Sequence, residues 1–380
     1  MHAAPSRIQQ LERIANLSGS ASGHAQLDRH WADLVAKGQV PLVEGDSVVF
    51  LYRGPADSVS WQGDFNGWGR DKRFNPRGRR LGATDIWYLK ATFPPDARLD
   101  YKIVLNGRDW ILDPANPRQQ WGGGGPNSAL FMGKPRPERE ISPRRSGRVG
   151  QLSEVCSLRS DSLGYDVHYR VYLPAGDASL RNLPVIYVTD GHEYANEKMG
   201  AMVTILDNLI AERKIQPVIA VFLDPRDPTN PAHNRRMTEL VLHQPYVGFV
   251  TRELIPRIDG TYPTNPAADA RAILGTSLGG LNAAYFGAEA SDYFRLIGIH
   301  SPAFWYRPAI YQRYERSPRL PLKIYMSTGV INDTEDGARR MKAILTAKGY
   351  SLRYQEVNEG HSWGNWRGLV DEVLVYFFRK

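Results

Sequence analysis

The sequence predicts an α/β protein in which a mostly parallel sheet, with helices on both faces, follows a small all-β sandwich. Two observations lead to this fold class. After residue 149, near-continuous Val, Ile and Leu runs alternate with helix-length amphipathic segments, which is typical of a parallel sheet buried on both faces. Before residue 134, short segments of period two are separated by Gly, Pro, Asn and Asp turns, which is typical of an antiparallel sandwich.

The 380 residues exceed one ordinary compact core, so several regions are expected. We predict a helical segment over 1–37, broken at LSGSASG, and a β-sandwich over 38–133. A Pro/Arg-rich linker over 134–148 then leads to an α/β domain over 149–380. The stretch QWGGGGPNS (120–128) within the sandwich is predicted to be a turn-rich loop.

The composition is that of a globular protein, with 42% hydrophobic and 23% charged residues. A formal net charge of +8 favours anionic partners, but much of the excess lies in 133–148, and no nucleic-acid recognition motif accompanies it, so no nucleic-acid partner is expected. No apolar run reaches the ~20 residues of a membrane span. The single cysteine, Cys156, excludes an intramolecular disulfide and is expected to be buried in a strand.

The start of the chain has no apolar core of a signal peptide, so we expect a bacterial-type soluble protein of the cytoplasm or periplasm. The sequence leaves a homodimer open.

The stretch ILGTSLGGLNAAYFG (273–287) contains the candidate nucleophile, Ser277. It follows a buried strand and precedes a helix with small residues in its first turn, which is the context of a nucleophile elbow. Gly275 and Gly279 suit that turn, because larger side chains there would collide with the crossing strand and helix. A glycine-rich loop with a capping serine is the alternative.

A nucleophilic serine needs a base and an orienting acid. His361 follows the sixth apolar run, in a loop before the last helix, and is the candidate base. The preceding loop, VINDTED, offers Asp333, Glu335 and Asp336. We favour Asp333 because it comes soonest after its strand, and the order Ser, Asp, His is that of α/β hydrolases.

An oxyanion hole is expected from the backbone N–H of Leu278 and an N–H from the loop YVTDGHEYA, at Gly191 or His192. A long polar loop, 224–240, carries Arg226, Arg235 and Arg236, which either bind an anionic substrate or are simply solvated. Trp305, in SPAFWYRP, either lines a pocket for an aromatic acyl group or packs as a cap.

The carboxyl-terminal half resembles the enterochelin-esterase branch of the α/β hydrolases. The resemblance is carried by VTDGHEYA, NRRMTEL, GTSLGGLNAAYFG, SPAFW, MSTGVIND and EGHSWGNWRGLV, and covers nearly all of 150–380. It implies that the elbow serine, the loop acid and the histidine before the tryptophan act as a triad, matching Ser277, Asp333 and His361. The branch includes esterases of catecholate siderophores as well as feruloyl and acetyl-xylan esterases.

The amino-terminal half is similar to an early-set immunoglobulin-like module, of the kind found in enzymes that act on starch and glycogen. The stretches GDFNGWGRD, ATDIWYLKATFP, DYKIVLNGRDWILDPANP and GPNSALFM carry this likeness. Trp61, Trp68 and Trp87 could then stack on sugars, or pack in the core.

These features predict a serine carboxylic-ester hydrolase that needs no metal and no organic cofactor. The expected substrate is an ester of a ferric catecholate siderophore. The alternative is a feruloyl or acetyl-xylan type esterase, whose substrate would be an ester group on a polysaccharide or an oligosaccharide. A non-catalytic glycan-binding protein is the alternative of another class.

Overall fold

The computed structural model describes residues 7–16, 20–133, 141–143, 147–176, 180–227, 229–230 and 232–380. They fold into two compact units. The first comprises the described residues up to 133 together with two short downstream segments, Ile331–Asp333 and Asn358–Gly364. The second comprises the remaining residues up to 380. Most of the predicted linker, at 134–140 and 144–146, lies outside the described residues.

The first unit begins with two helices, α1 (Arg7–Asn16) and α2 (Ala21–Ala36). The break that the sequence predicts between them ends at Ser20, whose Oγ accepts a hydrogen bond from the backbone N–H of Gly23 at 3.1 Å. That bond satisfies one of the free N–H groups at the start of α2.

Two antiparallel sheets follow the helices. Their strands, in chain order, are β1 (Leu42–Glu44), β2 (Ser47–Arg53), β3 (Val59–Gly63), β4 (Arg79–Arg80), β5 (Ile86–Thr92), β6 (Arg98–Leu105), β7 (Asp109–Ile111), β8 (Gln119–Gly122) and β9 (Gly125–Phe131). One sheet has the order β1-β2-β5-β4, and the other has the order β3-β6-β9-β8 with β7 paired to β6.

Alternation along β2 shows why these sheets form a sandwich. Phe50 points into the core shared with Trp61 of β3 and Tyr101 of β6, whereas Val49 and Leu51 pack with the apolar residues of α1 and α2. Successive side chains of a strand point to opposite faces, so β2 packs against the core between the two sheets on one face and against the helices on the other. Trp61 and Trp87 are buried in this unit, which leaves them no exposed ring face for sugar stacking.

The predicted loop at 120–128 is wrong. It is a hairpin of β8 and β9, with Gly122 opposite Gly125. Gly125 has φ +99°, a left-handed conformation that favours glycine, so the glycines that suggested a loop serve the tight turn between paired strands.

The second unit is built on a nine-stranded sheet. Its strands are β10 (Gln151–Leu152), β11 (Cys156–Arg159), β12 (Asp166–Leu173), β13 (Val185–Val188), β14 (Ile219–Asp224), β15 (Arg271–Thr276), β16 (Leu296–His300), β17 (Lys323–Gly329) and β18 (Ser351–Val357). Strands β14-β13-β15-β16-β17-β18 are parallel, and β12 joins β14 antiparallel. The predicted mostly parallel sheet is confirmed.

Helices cover both faces of this sheet. They are α3 (Gly191–Tyr194), α4 (Met202–Ala211), α5 (Arg236–Glu239), α6 (Gln244–Phe249), α7 (Ile255–Thr261), α8 (Leu278–Glu289), α9 (Ala309–Arg316), α10 (Glu335–Ala347), α11 (Trp363–Arg367) and α12 (Val370–Phe378). Side chains of α6 to α10 share one core with Val185, Ile273 and Ile297. On the opposite face, Val373 of α12 packs near Leu274 and Gly298.

Cys156 lies in β11 as predicted, but it is half-buried rather than buried, because β11 is a short strand that pairs with β12 at the side of the sheet. Among the described residues, no helix is long and apolar enough to cross a membrane.

Candidate active site

Ser277 occupies a strained turn between β15 and α8. Its φ of 58° and ψ of −116° lie outside the regions that non-glycine residues ordinarily adopt, at a cost of about 1–3 kcal/mol. Neighbouring backbone holds this conformation: the Ser277 N–H donates to the His300 carbonyl at 3.0 Å, and the Ser277 carbonyl accepts from Ala303 N–H at 2.9 Å.

The two glycines of the turn are required by close contacts. A Cβ on Gly275 would overlap the backbone of Gly279 and Oγ1 of Thr189, and a Cβ on Gly279 would lie 2.5 Å from the same Oγ1. The G-x-S-x-G spacing therefore reflects the crossing of β15, α8 and the end of β13. Thr189 could not be singled out from the sequence, because its role depends on the pairing of β13 with β15.

The predicted oxyanion-hole residues lie at helix amino termini. Leu278 is the first residue of α8, where N–H groups have no intrahelical acceptor. Gly191 and His192 begin α3, after Asp190 in a left-handed conformation with φ 51°. A Cβ on Gly191 would overlap the backbone of Phe222, so β14 presses this loop closely.

Arg236 ties this loop to the nucleophile turn. Its Nε lies 2.8 Å and 2.9 Å from the two carboxylate oxygens of Asp190, whose side chain is 3% exposed. Its Nη2 lies 3.5 Å from the Thr276 carbonyl, next to Ser277 in sequence. The sequence left this arginine either as a substrate ligand or as a solvated charge; in the structure its guanidinium contacts both the Asp190 side chain and the Thr276 backbone.

The other two predicted arginines are also paired with carboxylates. Arg226 donates from Nε to Asp224 Oδ1 at 2.8 Å. Burial alone would raise the pKa of Asp224, but the Arg226 hydrogen bond and the nearby His192 hold that pKa below its usual value. Arg235 lies 2.6 Å from Asp227 Oδ2, and its guanidinium stacks 4.0 Å from the Tyr165 ring centroid.

Glu239 is a buried carboxyl that the sequence did not single out as functional. It is 1% exposed, and its Oε1 accepts a hydrogen bond from Tyr165 Oη at 3.0 Å. Its Oε2 has no hydrogen-bond partner within the described chain. Burial raises the pKa of Glu239 to about 7.

Asp333 and His361 contact each other directly. His361 Nδ1 lies 2.6 Å from Asp333 Oδ1. The Asp333 side chain is 0% exposed and that of His361 32% exposed, so the acid is shielded while the imidazole reaches solvent. Glu335 and Asp336 instead lie in the first turn of α10.

Other aromatic and imidazole side chains of the chain differ in their exposure. Trp305 is 68% exposed, whereas Trp363 and Trp366 are buried. Trp366 Nε1 donates to Ser301 Oγ at 2.9 Å. Burial lowers the pKa of His300 to about 3, so this imidazole is neutral near pH 7, and only its carbonyl serves the nucleophile turn.

A cavity of about 260 Å³ adjoins the loop that begins α3. Its walls are aromatic, basic and polar, formed by Val155, His168, Tyr169, Arg170, Gly191, His192, Ala195, Asn196, Phe222, Asp224 and Arg226. The cavity therefore offers ring contacts and charged groups of both signs beside a predicted oxyanion donor.

The parallel sheet, the strained serine turn and the His–Asp pair define an α/β hydrolase. The model of the Esterase family, described as "Putative esterase", matches residues 160–377, and the chain belongs to this family. It is an esterase of the enterobactin-esterase type, which removes the alternative of a non-catalytic glycan-binding protein.

Three relatives illustrate this similarity. The chain is 25% identical over 333 residues to the iron(III) enterobactin esterase of Escherichia coli O6:H1, covering 78% of this chain and 80% of the relative. An endo-1,4-beta-xylanase/feruloyl esterase of Xylanibacter ruminicola is 25% identical over 246 residues, 62% of this chain and 32% of the relative. The crystal structure of the enterobactin esterase from Shigella flexneri in the presence of enterobactin superposes with a TM-score of 0.71 at 21% identity, covering 87% of this chain and 92% of that one. The α/β-hydrolase prediction is confirmed.

Proposed function

We propose that this esterase is a serine carboxylic-ester hydrolase with Ser277 as nucleophile, His361 as general base and Asp333 as the acid that orients His361. The observation that carries the proposal is the conformation of Ser277, a non-glycine residue at φ 58° on a strand–turn–helix junction. The 2.6 Å contact of His361 Nδ1 with Asp333 Oδ1 supports it, because it directs Nε2 of the imidazole away from the acid.

The order of the strands also supports this grouping. Ser277, Asp333 and His361 follow β15, β17 and β18, which are parallel strands of one sheet. Residues that follow parallel strands emerge at the same sheet edge, where α/β proteins place their sites.

The proposed reaction has two stages. Ser277 Oγ attacks the ester carbonyl while His361 Nε2 takes its proton, and that proton then passes to the leaving alkoxide as the acyl-enzyme forms. In the second stage His361 takes a proton from a water molecule as that water attacks the acyl carbonyl. His361 then returns this proton to Ser277 Oγ as the acid product leaves. Asp333 stabilises the imidazolium in both stages.

The negative oxygen of each tetrahedral intermediate would be bound by the N–H of Leu278 and that of Gly191 or His192. Both donors begin helices, whose partial positive charge favours an anion.

The proposed substrate is an ester of a ferric catecholate siderophore. Relatives named as iron(III) enterobactin esterases match about 80% of their own length, and the chain has a net charge of +8. The cavity beside Gly191, with Tyr169 and Phe222 for ring contact and Arg170 for charge, suits a catecholate ring.

A feruloyl or acetyl-xylan type esterase is the second candidate. The similarity to the Xylanibacter ruminicola xylanase/feruloyl esterase favours it, because the matched 246 residues are only a part of that longer protein. The same cavity would accept a ferulic ring.

The test is a hydrolysis panel followed by mass spectrometry, with a ferric catecholate trilactone, methyl ferulate and acetylated xylan oligomers. We expect the trilactone to give the highest kcat/KM, and Ser277→Ala to lower kcat by roughly 10³-fold or more on every substrate cleaved. Ser291→Ala, at a serine just beyond α8, is the control and should retain full activity. Equal rates for Ser277→Ala and the wild type would rule out the serine mechanism, and a clear preference for methyl ferulate would rule out the siderophore assignment.

A further inference from the structure

The compact unit that contains the β-sandwich also contains the segments that carry Asp333 and His361. We infer that Asp64 and Arg98, both in the sandwich, are positioning residues that hold the His361 loop against its acid. This inference rests on the proposed function, since it assigns the sandwich a part in the geometry of the proposed base and acid.

Asp64 contacts the residue before His361. It belongs to GDFNGW, the motif that resembled glycan-associated modules, and is 2% exposed. Its Oδ2 accepts the backbone N–H of Asp100 at 2.8 Å, and its Oδ1 accepts Trp68 Nε1 at 3.1 Å. A Cβ on Gly360 would overlap Cβ and Cγ of Asp64, so only glycine allows the loop to lie this close.

Arg98 contacts the His361 loop on both sides of the histidine. On the side that precedes His361, the backbone N–H of Arg98 donates to the Asn358 carbonyl at 3.3 Å, and Arg98 and Glu359 form an isolated parallel β-bridge. The Arg98 Nη1 atom lies 3.7 Å from the Glu359 carboxylate. On the side that follows His361, the guanidinium lies where a Cβ on Gly364 would be. Arg98 is 6% exposed, so this packing is largely shielded from solvent.

The segment that carries the acid is held by the same unit. Ile331 packs against the sandwich core, and its N–H donates to the Glu359 carbonyl at 3.1 Å. At the loop's outer edge, Asn358 Nδ2 donates to Asp96 Oδ1 at 2.7 Å. The 2.6 Å contact of Asp333 with His361 thus joins two segments that are each anchored to the sandwich.

The consequence is kinetic. A shift of about 1 Å in a catalytic group can cost on the order of 10²-fold in rate. Loosening the loop should therefore lower kcat and leave the KM of a small ester almost unchanged.

The experiment is a double-mutant cycle in the full-length protein, with p-nitrophenyl acetate as substrate. Arg98→Gln should lower kcat by roughly 10- to 100-fold, with KM within about twofold of wild type. In a His361→Ala background, Arg98→Gln should cause no further loss of the residual rate, because its effect passes through His361. Asp113→Asn, which alters another buried carboxyl of the sandwich, should leave kcat unchanged.

The outcomes separate the two proposals. If His361→Ala keeps wild-type activity, the proposed triad is wrong. If His361→Ala is inactive but Arg98→Gln keeps full kcat, or costs the same factor in both backgrounds, the positioning role is wrong.

Urea unfolding identifies a variant that does not fold. In that case Asp96→Ala, at an exposed position, replaces Arg98→Gln. It removes only the bond to Asn358, and should lower kcat by roughly threefold, again only when His361 is present. Asp57→Ala, at another exposed aspartate of the sandwich, is its control, and equal kcat for the two would contradict the inference.

Discussion

His361 Nδ1 lies 2.6 Å from Oδ1 of Asp333, an acid whose side chain is fully shielded from solvent. This contact distinguishes Asp333 from Glu335 and Asp336. Spacing in the sequence left all three acids as candidates. Those two acids begin α10, where a negative charge near the helix amino terminus is favourable.

We therefore expect Asp333→Asn to lower kcat by about 10³- to 10⁴-fold, because an amide at this position can hold the imidazole in the wrong tautomer and cannot stabilise the imidazolium. Initial rates with p-nitrophenyl acetate measure the effect. Glu335→Gln and Asp336→Asn are the matched controls and should stay within about twofold of wild type. Near-full activity of Asp333→Asn would contradict the assignment.

The nucleophile turn should not tolerate a methyl group. Gly279→Ala places a Cβ 2.5 Å from Thr189 Oγ1, so we expect the turn to shift, with roughly 1–3 kcal/mol lost from the free energy of unfolding and kcat reduced by 10-fold or more. Urea unfolding and initial rates test both parts. Gly260→Ala in α7, where a Cβ would meet no atom within 4 Å, should leave activity unchanged. Equal behaviour of the two variants would contradict the close-contact argument.

Arg236 should act on the oxyanion loop rather than as a simple substrate ligand. Arg236→Gln removes the charge that faces Asp190 and the contact with the Thr276 carbonyl, so we expect kcat to fall by about 10²-fold even for p-nitrophenyl acetate, an uncharged ester. Arg339→Gln, which breaks an exposed ion pair with Glu356, is the control. A loss confined to the KM of anionic substrates would instead favour direct substrate binding.

Glu239 should make the stability of the fold depend on pH. Its pKa in the folded protein is about 7, against an ordinary value of 4.5, so between these values the folded state keeps a proton that the unfolded chain releases. The free energy of unfolding therefore falls as pH rises through this window, by roughly 3 kcal/mol in total. Glu239→Gln has no proton to lose at this position.

Urea unfolding of the wild type and Glu239→Gln at pH 5 and pH 8 tests this. The variant should gain stability relative to the wild type by roughly 2–3 kcal/mol between the two pH values. Parallel pH dependences of the two proteins would contradict the raised pKa.

Much of the fold followed from local pattern. The alternating apolar runs after residue 149 predicted β13 to β17 and the main helices, because a strand buried on both faces must be continuously apolar. Strand β8 and the start of β9 were not predicted, since a run of four glycines has neither an apolar period nor a strand preference, and the pairing of these residues is decided by the partner strand. The strands β1, β4 and β7 were not predicted either, because two or three residues are too few to show a period.

The sequence by itself determined the class of the protein and its candidate nucleophile, because a serine between two glycines, after a buried strand and before a helix, is a local pattern that can be read without knowing the tertiary contacts. Tertiary structure decided which side chains of the site contact one another. Which acid contacts His361, which carboxylate Arg236 binds, and why Gly360 contacts Asp64 depend on segments up to 296 residues apart in the chain. Hydrogen bonds and van der Waals contacts act over a few ångströms in space, so only the folded chain specifies them.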